Sequence, residues 1–160
     1  MPVVPEEPSS PDPRRPKAQR PGTVMQGGRA KAYRPLAPAA RAEAFAAGLA
    51  AYRRGDFFEA HELLEPAWMG TNDLAERDLY QALIKLAAAF VHRERGNGAG
   101  VVKNLRGARE RLARVPAARG GGHGVDPAAL ITAIDDDLRA LEAGSPLAEV
   151  APPLLGDPFD

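Results

Sequence analysis

A chain of 160 residues with 21 Lys+Arg, 21 Asp+Glu, 16 Gly, 16 Pro and no Cys can bury one hydrophobic core without cross-links. The missing thiols exclude cysteine nucleophiles, iron–sulfur clusters, thiolate zinc sites and disulfides. Zero formal net charge excludes a uniformly basic nucleic-acid binder.

Residues 1–35 hold eight prolines and no Leu, Ile or Phe, and carry seven basic against three acidic side chains. Such a segment lacks the apolar area to offset chain entropy, so a disordered basic Pro-rich tail is expected. With no apolar h-region and no apolar run long enough to span a bilayer, a cytoplasmic protein without membrane contact is expected.

From residue 36 to 143 the pattern is helical. A first helix from about Pro38 to Arg54 has Phe45, Leu49 and Tyr52 on one face and ends at Gly55. Asp56 then opens a second helix, in which Phe57, His61, Leu64 and Trp68 share a stripe. Pro66 should kink or loosen that helix by opposing the carbonyl of Glu62. A third and most apolar helix, from about Asp73 to Arg95, presents Leu79, Leu83, Leu86 and Phe90 inward. Asn97 caps a fourth, with Val101, Leu105, Ala108 and Leu112 facing the core. The Gly-rich run 120–124 reads as a flexible connection with His123 as a solvated linker residue, and Asp126-Pro127 starts a fifth helix. Residues 144–160 are again Pro-rich and aperiodic. The fold class is therefore all-α: a compact bundle of four to five helices with disordered Pro-rich N-terminal and C-terminal tails.

The only serines, Ser9, Ser10 and Ser145, stand in Pro-rich terminal stretches, which argues against a Ser-His-Asp hydrolase. Carboxylates, histidines or a metal that they hold must carry any chemistry. His61 and Glu65 are four apart and neighbours on one helix face, with Glu62 beside His61. A nitrogen–oxygen pair of this kind suits divalent zinc, manganese or iron. A third ligand must come from elsewhere, and His92 is the candidate, because it shares a polar stripe with Gln81, Lys85 and Ala88 on the third helix. Gln81 would then supply a supporting or substrate-directed hydrogen bond. A structural role for His61, as a hydrogen-bonded core histidine, is the competing expectation.

The run Arg54-Gly55-Asp56-Phe57-Phe58-Glu59-Ala60-His61-Glu62-Leu63-Leu64-Glu65, followed by Trp68, Gln81 to Phe90, His92 and Arg95-Gly96-Asn97, resembles the bacterial domain-of-unknown-function family 309 over roughly residues 44–112. The resemblance implies a small helical bundle and brings the label "predicted metal-dependent hydrolase". Its polar signature falls on Glu59, His61, Glu62, Glu65, Trp68, Gln81, His92 and Asn97.

Two functions are thus expected. The first is a metal-dependent hydrolase of a small molecule, with His61, Glu65 and His92 as ligands, Glu62 as the base, and Glu59, Trp68, Gln81 and Asn97 around the pocket. The second is a non-catalytic module whose polar residues fix helix register and whose Arg-rich fourth helix meets an acidic protein partner. Residues 93–119 carry eight basic and two acidic side chains, but without interleaved aromatics nucleic acid is not the expected partner. Homo-oligomerisation is left open.

Overall fold

The computed structural model describes residues 22–117, 119 and 123–156. Among these, a hairpin of β1 (Thr23–Gln26) and β2 (Arg29–Ala32) precedes five helices: α1 (Pro38–Arg53), α2 (Phe57–Met69), α3 (Leu74–Glu94), α4 (Gly98–Leu112) and α5 (Pro127–Glu142). A 3₁₀ turn at Leu147–Glu149 follows. The all-α bundle is as the periodicity implies. Among the described residues no helix is long and apolar enough to cross a membrane.

Local punctuation explains the boundaries. Gly55 and Gly96 take the left-handed conformation that stops α1 and α3 (φ 82° and 70°). Asp73 caps α3 by accepting from the backbone N–H of Ala75 and Glu76 (3.0 and 3.2 Å). Asp126 does the same for α5, ahead of Pro127 at the first helical position. Asp56 makes no such bond and instead faces the Arg54 guanidinium at 3.2 Å. The α2 helix continues through Pro66 to Met69.

Helix α3 packs against α2 on one side and α4 on the other, while α1 covers α2 and α5 covers α4. Leu79, Leu83, Leu86 and Phe90 are buried along its length, and Phe57 of α2 lies 5.4 Å from Phe90, ring to ring. Burying each of these side chains contributes about 1.5–3 kcal/mol.

Part of the segment expected to be a tail forms the hairpin, between residues 23 and 32. Gly27-Gly28, both at positive φ (57° and 75°), form the two-residue turn of the β1–β2 hairpin, with Gln26 opposite Arg29. A lone hairpin is marginal in water, and this one is held by Arg77, whose side chain is fully buried. The Arg77 guanidinium donates to the carbonyls of Ala32 (3.1 Å), Trp68 (3.0 Å) and Thr71 (2.9 Å). Its Nε donates to Gln26 Oε1 (3.2 Å), which also accepts from Trp68 Nε1 (2.9 Å). Gln26 Nε2 in turn donates to Asp78 Oδ1 at 3.1 Å.

The C-terminal stretch from 144 to 156 also lies on the bundle. Tyr52 donates its hydroxyl to Pro153 O (2.8 Å), Arg53 donates to Gly156 O (2.7 Å) and Arg93 to Val150 O (2.7 Å), while Val150 and Leu155 are buried. Of the glycine run, residues 120–122 lie outside the described residues. His123 is no solvated linker: its ring stacks on Tyr80 at 5.6 Å and lies 5.4 Å from Phe45. Burial pushes its pKa down.

Two stability predictions follow from these contacts. Gln26→Ala strands two buried donors and should cost about 2 kcal/mol, measured by urea unfolding with the fluorescence of Trp68, the only tryptophan. Asp137 of α5 has a buried Oδ2 without a partner. Burial and the neighbouring Asp136 charge raise its pKa to about 6, against the opposing pull of Arg93. The native state therefore prefers the protonated acid, and stability falls as pH rises from about 4 through 6. Asp137→Asn should be about 1 kcal/mol more stable than the parent above pH 7, allowing for solvent screening, with no difference near pH 3.5; thermal melts across this range check it.

Candidate functional site

Helix α2 brings its polar residues to one place. Donor atoms of His61, Glu62 and Glu65 all lie within 4.8 Å of one another. Glu62 Oε1 stands 3.5 Å from His61 Nδ1, with the two side chains 57% and 35% exposed. The imidazole thus presents its Nδ1 side to a carboxylate. His61, Glu65 and Trp68 form one wall of a cleft of about 190 Å³. Its other wall is Gln81, Ile84, Lys85 and Ala88 of α3, and Asn104 of α4 also lines it. Gln81 Oε1 is buried without a hydrogen-bond partner.

The expected residues separate into two groups. His61, Glu65, Trp68 and Gln81 meet at the cleft, and Glu62 joins His61 and Glu65 from the rim. His92 does not join them. It is neither in the ligand cluster nor in the cleft lining, and its Nδ1 lies 3.1 Å from Asn97 Nδ2. Asn97 is itself the α4 cap, accepting from Gly100 N at 3.0 Å. The reason is the level at which the helices meet. Phe57, the first residue of α2, packs against Phe90, so His92 lies beyond the start of the helix it was expected to face. Glu59 is exposed and pairs with Arg54 at 3.3 Å rather than turning to the cleft.

Asn104 and Lys85 are the polar cleft residues to which spacing assigned no role. Their signal is a small and polar stripe on α4, Gly100, Asn104 and Gly107, spaced by four and three. A Cβ at Gly100 would meet the His92 ring at 2.6 Å, and one at Gly107 would meet Lys85 Cδ at 2.9 Å. The stripe thus leaves room for His92 and Lys85, themselves seven apart on α3. Burial and the cations Arg111, Lys31 and Lys103 push the Lys85 pKa down.

Neither curated proteins nor solved structures gave a match. The family model described as "Domain of unknown function (DUF309)" matches residues 45–104, from Phe45 in α1 to Asn104 at the cleft. The matched segment contains both walls of the cleft.

Proposed function

We propose that the α2–α3 cleft binds a divalent cation and that the protein is a metal-assisted hydrolase of a small molecule entering the same cleft. The observation that carries this is the convergence of His61, Glu62 and Glu65 donor atoms within 4.8 Å at the cleft edge. One imidazole nitrogen with carboxylate oxygens fits zinc, manganese or iron. A bound cation of this kind supplies a lowered pKa for water.

The chain's own groups have separable tasks under this proposal. His61 and Glu65 hold the ion from the wall. Glu62 orients the His61 ring through Nδ1 and accepts the proton that water loses. The Gln81 Oε1, without a hydrogen-bond partner among the described residues, accepts from a substrate hydroxyl or amine in the cleft. The competing role, an Arg-rich α4 that meets an acidic protein, has less support. Arg109 is paired with Asp135, Arg111 with Asp78, and Arg114 with Glu110, so much of that charge is used within the bundle.

Untagged protein reconstituted with zinc or manganese should hold about one ion per chain by elemental analysis. His61→Ala and Glu65→Gln should each lower this to about a tenth, because a second-ligand loss weakens such sites by orders of magnitude. Unchanged metal content in His61→Ala rules out the cation site. A parent protein that takes up no ion, together with a His61→Ala variant destabilised by about 2 kcal/mol, would instead assign His61 to the helix-register network.

A further inference from the structure

Lys85 borders two cavities. It lines the α2–α3 cleft and also an open groove of about 690 Å³ between α3 and α4. Lys103 and Arg106 project into that groove from consecutive turns of α4, with Gly107 beside them. No ion pair occupies Lys85, Lys103 or Arg106 among the described residues, whereas Arg109, Arg111 and Arg114 of the same helix are each paired with a carboxylate. Glu110, the one acidic residue at the groove, is itself bound to Arg114 at 2.8 Å.

Gly107 determines where the Lys85 ammonium goes. A Cβ at this position would stand 2.9 Å from Lys85 Cδ and 3.4 Å from Nζ, so a side chain here requires the lysine stem, which lies along α4 beside the groove, to shift. Three cations without a carboxylate partner among the described residues, held at one groove, repel, and a multiply charged anion relieves that repulsion. No aromatic side chain lines the groove to stack a base. A small anion therefore suits it better than a nucleic acid.

We propose that the α3–α4 groove is a binding site for the phosphate or diphosphate end of a small phosphorylated ligand, contacted by Lys85, Lys103 and Arg106, with Gly107 as the residue that positions Lys85. The site does not depend on the cation proposed for the neighbouring cleft.

Calorimetric titration of the full chain with inorganic pyrophosphate, at fixed ionic strength and with EDTA present, tests this apart from any metal. One site per chain is expected. Lys85→Gln and the double variant Lys103→Gln/Arg106→Gln should each weaken it about tenfold or more, equivalent to about 1.4 kcal/mol, while Arg54→Gln on the far surface should not. Gly107→Ala should keep or raise the melting temperature, since alanine is the better helix former, yet weaken pyrophosphate by displacing Lys85. Absence of binding, or equal weakening by Arg54→Gln, would overturn the site. A single-stranded oligonucleotide that displaces pyrophosphate through the same three residues would overturn the small-ligand class. Undiminished binding by Gly107→Ala would overturn the role given to that glycine.

Discussion

The buried guanidinium of Arg77 is the constraint to which the rest of the structure answers. A cation removed from water costs several kcal/mol unless its N–H groups are satisfied. Here the acceptors come from different parts of the chain: Ala32 in β2, Trp68 and Thr71 around the end of α2, and the Gln26 side chain at the end of β1. The Trp68 ring lies 5.0 Å from the same group, adding a cation–π contact. One side chain of α3 thereby fixes the hairpin, the α2–α3 turn and the C-terminal end of α2 together.

That anchoring sets the geometry of the cleft. Once the end of α2 is tied to Arg77, and its start is packed through Phe57 on Phe90, the helix cannot slide along α3. Glu65 and His61 are held opposite Gln81, Lys85 and Ala88. The wall they face is polar on an otherwise apolar helix. The cleft has an acidic rim at Glu62 and Glu65, while the Lys85 stem on the facing helix runs along Gly107 of α4. The charge of α4 is divided, between arginines spent on Asp78, Glu110 and Asp135 and the Lys103 and Arg106 that have no ion pair among the described residues.

The helices were legible because each carries its own local instructions: apolar residues at three- and four-residue steps, and stops or caps at Gly55, Asp73, Gly96, Asn97 and Asp126. The cleft was half legible. A helical stripe says which residues share a face, hence Gln81 and Lys85, but not at what level the partner helix begins, hence the misplaced His92. The hairpin carried a signal in Gly27-Gly28 that was outweighed by the Pro-rich composition around it. Its docking was not legible at all, because Arg77 and Gln26 are 51 residues apart and each resembles an ordinary surface residue until the fold joins them. His123 likewise owes its ring partners, Phe45 and Tyr80, to tertiary contact alone.

The C-terminal stretch shows why proline content is a poor guide to whether a segment docks. Proline lacks a donor but keeps its carbonyl, and the bundle grips this stretch by its carbonyls, at Val150, Pro153 and Gly156. Burial pushes the Tyr52 phenol far up, so it remains a donor at any ordinary pH. Because these bonds recognise main chain, the stretch is free to drift in evolution at most of its side chains. Val150, Pro153 and Leu155, buried there, are where such drift would be restrained, and an extended Pro-rich spelling is as serviceable for this task as any other.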